Sequence, residues 1–292
     1  MQRRILGIEG GGTKTEWVLL DEEERVLGEG RLHAANLKLC SDPDIAELFA
    51  ALPREVSHVG AFLAGCALDS DRARLGALAA AAWPGAFVRV GNDCESGFAT
   101  ALGEGDGIIV ISGTGSVVHG RCGGRMDKAG GWGHILGDRG GGYDIARFAL
   151  RQMIRRYDLD RSRTELASAI LAELGLDDLP HLDDWVIHAD KMKIAALAPV
   201  VFRIAESDGE FRAFIERRAR ELADFTLAVA GRLGMDRGRV EVRLLGGLLT
   251  HVGFYAAMYT AFLRERLPLA NVEPCTRSGA YGAAMIAQGQ PR

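Results

Sequence analysis

Two glycine-rich turns carry the residues whose chemistry stands out in this chain. GGGT at residues 10–13 follows an apolar run, and SGTGS at 112–116 follows another. Glycine lets the backbone approach a ligand closely, and backbone N–H groups with threonine hydroxyls suit phosphate oxygens. Glu9 precedes the first turn, where a carboxylate can hold a hydrated Mg²⁺. The pattern therefore predicts two loops that hold one triphosphate from both sides.

The first turn matches neither of the two commonest phosphate-binding loops. A P-loop needs lysine where Thr13 stands, and both it and the dinucleotide fingerprint need a helix next. The following segment TEWVLLD (15–21) instead has a β pattern. A phosphate-binding hairpin and a purely structural tight hairpin both remain open for this turn. The second glycine turn favours the phosphate interpretation.

The elements that must position these turns form two similar sets. Strand-like runs and helices alternate up to about residue 104, and the pattern restarts at GIIVISGTGS (107–116). We therefore predict an α/β fold of two duplicated units. The expected ranges are 1–104 for the first unit, which the C-terminal helix 277–290 joins, and 105–276 for the second, with a mostly helical insertion around 140–238.

Composition excludes several other classes of protein. The 292 residues carry a formal charge of −4 without a basic stripe, so nucleic acid is not expected as a partner. No signal peptide or membrane-spanning run is apparent, so we expect a cytoplasmic protein without a membrane partner. The five cysteines form no CxxC pair and the seven histidines are dispersed. These spacings argue against a zinc, iron–sulfur or other protein-ligated transition-metal site.

Five motifs in order along the chain carry a family resemblance. They are IEGGGTKTE, NDCESGFATA, VISGTGS, GGWGHILGDRGGG and LLGGLLTH. Together they resemble the N-acetylglucosamine kinase branch of the BadF/BadG/BcrA/BcrD-type ATPase group, within the actin-like/hexokinase superfamily. That resemblance implies a two-lobed actin-like fold of duplicated ribonuclease H-like domains with its active site in the cleft between lobes. It also implies ATP and Mg²⁺ as cofactors, a small-molecule sugar as substrate, and a homodimer.

The resemblance assigns roles to residues of these motifs. Asp93, which ends the strand AFVRVGND, would take the proton from the attacking sugar hydroxyl, and an aspartate there could also cap the following helix. Glu9 would act on the metal through water, and Lys14 either touches phosphate or lies solvated at the hairpin tip. The expected nucleotide-binding residues are Gly11, Gly12, Thr13, Thr114, Gly246 and Gly247, and the expected sugar-binding residues are Asn36, Ser116, Gly130, Gly131, Trp132, Gly133 and Asp138.

The predicted activity is phosphorylation of N-acetylglucosamine at its 6-hydroxyl by ATP. Glucosamine is the second candidate for the sugar. Two alternatives of other classes are a non-kinase ATPase switch and a sugar-sensing module without turnover. Scattered cysteines and the GGWGH motif argue against the switch, and Asp93 argues against the sensor.

Overall fold

The computed structural model describes residues 3–289 of the chain, which separate into two compact units. Unit 1 comprises the residues up to Gly105 together with those from Cys275 onward, and unit 2 is Asp106–Pro274. The helix expected over 277–290 is observed as Gly279–Gln288 and lies in unit 1. Gln290, the last residue of that predicted helix, lies outside the described residues.

Unit 1 contains a five-stranded sheet and four helices within the described residues. Its elements are β1 Ile5–Gly10, β2 Thr15–Leu20, β3 Val26–Leu32, α1 Asp42–Ala50, β4 His58–Leu63, α2 Asp69–Ala82, β5 Phe87–Gly91, α3 Asp93–Leu102 and, at the end of the chain, α13 Gly279–Gln288.

Unit 2 contains a second five-stranded sheet and a largely helical insertion. Its elements are β6 Gly107–Ser112, β7 Ser116–Cys122, β8 Arg125–Gly130, α4 Gly133–Leu136, α5 Gly142–Asp160, α6 Glu165–Leu174, α7 Leu182–Ile187, α8 Lys191–Ala195, α9 Ala198–Ile204, α10 Gly209–Leu233, β9 Val240–Leu245, α11 Gly247–His251, α12 Gly253–Arg266 and β10 Ala270–Pro274.

The two sheets repeat one topology. The strand orders are β3-β2-β1-β4-β5 in unit 1 and β10-β9-β6-β7-β8 in unit 2. In each sheet the first three strands form an antiparallel meander, and the last two join parallel to the first strand of that meander. This repeat confirms the predicted α/β fold class and its duplication.

Strand alternation explains how β1 carries two cores. Leu6 and Ile8 point into the core beneath α1 and α2, while Ile5 packs with the alanines of α13 on the other face. Because side chains alternate along a strand, Gly7 and Glu9 share the α13 face with Ile5. The central strand of the sheet therefore places Glu9 beside the last helix of the chain.

Helix α13 lies unusually close to its neighbours because both surfaces lack large side chains. A Cβ atom at Gly7 or Gly60 would collide with the backbone carbonyl of Ala280 or Ala283. The Gly282 N–H donates to Thr100 Oγ1 at 2.8 Å, so α13 is also hydrogen-bonded to α3. These contacts join the C-terminal helix to the two elements that carry Glu9 and Asp93.

Two elements differ from the sequence-based expectation. The strand β10 was not predicted, because it is five residues long, ends in Pro274 and is stabilised by pairing with β9 alone. The sequence EVRLLGGLLTHVGFYAAMYTAFLRERL predicts a strand, a glycine turn and one helix. The structure instead divides that helix at Val252 into α11 and α12, because the chain leaves helical geometry there with ψ of 86°. No helix among the described residues is long and apolar enough to cross a membrane.

We predict that Gly282→Ala destabilises the protein by about 1–3 kcal/mol, because its methyl group would lie 2.6 Å from the Thr100 backbone nitrogen. Chemical denaturation measures the change in the free energy of unfolding. Gly231→Ala is the matched control, since this exposed helical glycine has no atom near its missing Cβ and should gain up to about 1 kcal/mol. Equal stability of Gly282→Ala and wild type would contradict the proposed close packing.

Candidate active site

In unit 1 the carboxyl ends of three parallel strands bring together Glu9, Asn36 and Asp93. Glu9 lies near the end of β1, Asp93 follows β5, and Asn36 forms a bridge to Ala64 directly after β4. The Ala64 N–H donates to the Gly10 carbonyl at 2.7 Å, which extends the pairing of β1 with β4. Ligands of open α/β sheets bind at such strand ends, so this edge is the candidate site of unit 1.

Asp93 is the first residue of α3 and is not its cap. The N-cap is Asn92, whose side chain accepts from the Glu95 N–H at 3.0 Å while Glu95 accepts from the Asn92 N–H. The alternative in which Asp93 caps the helix is therefore wrong, because its neighbour already fills that position. Arg72 pairs with Glu95 at 2.6 Å and so anchors this helix start to α2.

The carboxylate of Asp93 lies in a setting that favours holding a proton. Burial raises its pKa above the ordinary value, while hydrogen bonds from its own N–H and that of Cys94 act in the opposite direction. A raised pKa brings a carboxylate closer to the range in which it exchanges protons at neutral pH. The raised pKa of Asp93 is therefore compatible with a role as general base.

Glu9 is the second perturbed carboxylate of this edge. Burial, with repulsion from Asp93 and from Glu16 opposite it on β2, raises the pKa of Glu9 to about 7. Lys14 has the reverse effect on Glu9, but its ammonium pairs with Glu16 at 2.7 Å. That ion pair favours the solvated hairpin-tip interpretation of Lys14 over direct phosphate contact.

A magnesium ion fits this edge only with ligands from outside the protein. The described residues contain no group of three or more His, Cys, Asp or Glu arranged for a metal ion. Magnesium usually keeps several waters and takes phosphate oxygens beside one or two carboxylates. The mutual repulsion of Glu9 and Asp93 is what a nearby cation would relieve. The residues present thus fit a water-mediated ion and not a protein-built cage.

The first glycine turn lies at the exposed tip of the β1–β2 hairpin. The Gly11 N–H donates to the Lys14 carbonyl at 2.9 Å, which closes the turn around Gly12 and Thr13. Both of these residues are exposed, and a Cβ atom built on Gly12 would meet no atom within 4 Å. The fold of this unit therefore has room for a Cβ atom at position 12 and does not require glycine there.

Asn36 uses its side chain partly for local structure. Its Oδ1 accepts from the Lys38 N–H at 2.9 Å and lies 2.6 Å from where a Cβ of Gly65 would stand. Its amide nitrogen makes no hydrogen bond to any part of the chain from residue 3 to 289. The local turn fixes the side chain, and its N–H₂ group is left to donate to a ligand.

In unit 2 the second glycine turn packs directly on two other glycine segments. The Gly142 N–H donates to the Gly113 carbonyl at 2.7 Å, and the Tyr143 N–H donates to the Thr114 carbonyl at 3.1 Å. Gly246 has φ of 83° and approaches the Ser112 carbonyl so closely that a Cβ atom would collide with it. This packing holds Thr114, Gly246 and the adjoining Gly247 at the carboxyl ends of the parallel strands β6 and β9.

Asp138 lies against the same turn. Asp138 is buried, and a Cβ atom at Gly115 would lie 2.7 Å from the Asp138 Cγ. The Lys191 ammonium contacts Asp138 Oδ2 at 2.8 Å. Ser116 donates its hydroxyl proton to the Arg139 carbonyl at 2.6 Å, so in this structure it positions the loop that carries Asp138.

The GGWGH motif presents apolar side chains to the surface. Trp132, Ile135 and Leu136 are 70, 78 and 82% exposed, whereas His134 packs edge-on against the Tyr143 ring. Left-handed backbone at Gly130, Gly131 and Gly133 forms the turns that expose them. Exposed aromatic and aliphatic side chains beside a buried carboxylate are typical of a ligand-binding surface.

Sequence reasoning did not single out three residues that organise this loop. Ser112 and Tyr255 both donate to the Gly140 carbonyl, at 2.8 and 2.9 Å, and Lys191 pairs with Asp138. Ser112 stood within a recognised motif, but Tyr255 and Lys191 are separated from their partners by 115 and 53 residues. Nothing in their local sequence indicates these contacts.

Comparison with known proteins gives similarity over nearly the whole chain. It is 28% identical to the N-acetylmuramic acid/N-acetylglucosamine kinase of Clostridium acetobutylicum, over 98% of both chains. It is 25% identical to the N-acetyl-D-glucosamine kinase of Dictyostelium discoideum, over 97% of both chains.

A solved structure supports the same relation. A protein of Chromobacterium violaceum, assigned as an N-acetylglucosamine kinase, superposes with a TM-score of 0.74 at 26% identity, covering 98% of this chain and 99% of that one. This similarity agrees with the predicted actin-like, duplicated α/β fold class. The model of the BadF/BadG/BcrA/BcrD ATPase family matches residues 6–287. The chain therefore belongs to the BadF/BadG/BcrA/BcrD ATPase family.

Proposed function

We propose that this protein is an ATP-dependent kinase that phosphorylates N-acetylglucosamine at its 6-hydroxyl, forming N-acetylglucosamine 6-phosphate and ADP. The observation that carries the proposal is the pair of perturbed carboxylates, Glu9 and Asp93, at one sheet edge beside an exposed glycine turn. The relatives from Clostridium and Dictyostelium support the choice of sugar, since both are named as kinases of N-acetylglucosamine.

The proposed reaction gives each carboxylate a separate task. Asp93 accepts the proton of the sugar hydroxyl as that oxygen attacks the terminal phosphate of ATP. Glu9 would hold Mg²⁺ through water, and the ion would supply positive charge beside the transferred phosphoryl group. Gly11, Gly12 and Thr13 approach the phosphates in unit 1, and Thr114, Gly246 and Gly247 contact the nucleotide in unit 2.

The proposed sugar ligands combine apolar surface with a few polar groups. Asn36 donates from its amide, Asp138 accepts from a sugar hydroxyl, and Trp132 covers a face of the ring. The glycines at 130, 131 and 133 let the backbone approach the sugar, and Ser116 supports this loop. Closure of this loop over the bound sugar would exclude water and prevent ATP hydrolysis without phosphoryl transfer to the sugar.

N-acetylmuramic acid is a second candidate acceptor. It is N-acetylglucosamine with a lactyl ether on O3, so it adds one carboxylate to the same sugar. The name of the Clostridium relative covers both sugars, and the Lys191 ammonium beside Asp138 is an observation that favours an acidic acceptor here.

The predicted homodimer and the cytoplasmic location stay predictions.

An assay of sugar-dependent ADP release tests the proposal. With Mg²⁺ and ATP, N-acetylglucosamine should give a higher kcat/KM than glucosamine or glucose, and ATP hydrolysis without sugar should be slow. A preference for glucosamine or glucose would overturn the choice of sugar but not the proposed kinase activity. If no hexose or amino sugar stimulates ADP release, the kinase itself is wrong and the ATPase switch replaces it.

Asp93→Asn should lower kcat by about 10²–10⁴-fold, because the amide retains size and hydrogen bonding but cannot accept the proton. Sugar and nucleotide affinities should change little, as measured by calorimetry. Glu95→Gln, which alters the adjacent cap but not the base, is the control for disturbance of α3. Near-wild-type turnover by Asp93→Asn would exclude Asp93 as the base.

Gly12→Val should weaken binding of a non-hydrolysable ATP analogue roughly tenfold or more, by blocking hydrogen bonds to charged phosphate oxygens. The melting temperature should not fall, because a Cβ atom added at this exposed turn has no protein atom within 4 Å. Gly209→Val, at an equally open glycine of unit 2, serves as control. Unchanged nucleotide affinity in the folded variant would remove the phosphate role.

Glu9→Gln should become more stable relative to wild type as pH rises. The raised pKa of Glu9, about 7 against 4.5, means that the unfolded chain loses this proton first. Wild type therefore loses stability between about pH 4.5 and 7, on the order of 2–3 kcal/mol, and the glutamine variant does not. Denaturation at pH 5 and pH 8 without nucleotide measures this difference. Glu47→Gln, at an exposed glutamate, is the control. If the stability difference between Glu9→Gln and wild type does not change with pH, the raised pKa of Glu9 is refuted.

A further inference from the structure

Lys191 and Asp138 form an ion pair at the edge of the proposed sugar site. The Lys191 ammonium lies 2.8 Å from Asp138 Oδ2, and their side chains are 33 and 9% exposed. Asp138 has a left-handed backbone with φ of 53°, which is uncommon outside glycine. A nearly buried carboxylate thus meets a lysine whose charge still reaches solvent.

The loop that carries Asp138 does not depend on this lysine for its position. Its carbonyl groups at Arg139 and Gly140 accept hydrogen bonds from three buried hydroxyls, of Ser116, Ser112 and Tyr255. The Asp138 carboxylate also packs against the turn at 113–115, where a Cβ at Gly115 would overlap it. Because these contacts already fix the loop, Lys191 is available for a different task.

The backbone of Lys191 is held close to the same loop. Lys191 begins the short helix α8, which Asp190 caps by accepting from the Met192 and Lys193 N–H groups. At the other end of α8, the Ala195 carbonyl lies 3.1 Å from where a Cβ of Gly142 would stand. This packing places the lysine beside Asp138 before any ligand binds.

The charge of Lys191 changes which ligands the site tolerates. A lone Asp138 carboxylate would repel an acidic group on a bound sugar, whereas the pair with lysine carries no net charge. An ammonium group has three N–H donors, and within residues 3–289 its hydrogen-bond acceptor is Asp138 alone. Two donors of a partly exposed cation therefore remain for an anionic substituent.

We propose that Lys191 is the specificity-determining residue through which this site accepts an N-acetyl amino sugar that carries a carboxylate, as N-acetylmuramic acid does. The inference rests on the proposed kinase function and names the residue that widens its substrate class. Lys191 donates to the lactyl carboxylate while Asp138 accepts from a hydroxyl of the same sugar. A sugar without the carboxylate uses Asp138 but not the remaining donors of Lys191.

The test compares three acceptors with the full-length protein: N-acetylglucosamine, N-acetylmuramic acid and the methyl ester of N-acetylmuramic acid. The ester keeps the bulk of the lactyl group but removes its charge. Wild type should phosphorylate the acid with a higher kcat/KM than the ester. In Lys191→Gln, kcat/KM for the acid should fall roughly ten- to hundredfold more than for N-acetylglucosamine, and the preference over the ester should disappear.

Two further variants separate this role from general damage to the site. Lys191→Arg retains the cation and should keep part of the preference for acid over ester. Lys193→Gln removes the same charge two residues along α8, where the side chain instead contacts the His188 carbonyl at 3.4 Å. This control should leave the ratio of acid to ester unchanged, and circular dichroism should verify that each variant is folded.

Each outcome decides between distinct conclusions. If wild type does not distinguish acid from ester, or if Lys191→Gln lowers kcat/KM equally for all three acceptors, Lys191 only positions Asp138 and the inference is overturned. If N-acetylglucosamine itself is not phosphorylated, the proposed function has failed instead. A loss of acid preference in Lys193→Gln as large as in Lys191→Gln would likewise overturn the assignment to Lys191.

Discussion

Close backbone contact at glycine is the constraint that positions the candidate ligand-binding residues within each unit. In unit 1 Gly7, Gly60 and Gly282 admit helix α13 against β1, β4 and α3 without room for a Cβ atom. In unit 2 Gly115 and Gly246 allow Asp138 and the strand ends to approach the second glycine turn. Interiors are packed to high density, so an added methyl group at such a contact displaces whole elements. The polar groups of the site inherit their positions from these backbone contacts.

The carboxylates of the two candidate sites lie in different electrostatic surroundings. Burial raises the pKa of both Glu9 and Asp93, and repulsion from Asp93 adds to the rise at Glu9. Asp138 is instead neutralised by Lys191 at 2.8 Å. A carboxylate with a raised pKa readily accepts a proton or a nearby cation. A carboxylate that is paired with an ammonium group can still accept hydrogen bonds. This contrast agrees with a division between phosphoryl transfer and sugar recognition, the roles proposed for these residues.

Local sequence predicted the features that depend on local chemistry. Apolar runs that end in glycine turns predicted the strands β1 and β6 and the duplication of an α/β unit, and the two sheets repeat one strand order. The same reading left the cap of α3 ambiguous, because asparagine and aspartate are both good caps. The observed box between Asn92 and Glu95 decides it, since the side chain three residues after Asn92 completes the pair. Strand β10 escaped prediction because a five-residue edge strand is stabilised by its neighbour and not by its own pattern.

The sequence by itself determined the fold class, the glycine turns at strand ends and the place of Asp93 at the junction between a strand and a helix. These features follow from hydrophobic periodicity and turn chemistry, which act over a few residues. Only the tertiary structure decided that Lys14 pairs with Glu16, that Ser116 supports the loop at Arg139, and that Lys191 reaches Asp138. The last of these contacts joins residues 53 positions apart. Such a pairing depends on how α8 packs against the start of α5, and this packing is a property of the assembled unit and of no single segment.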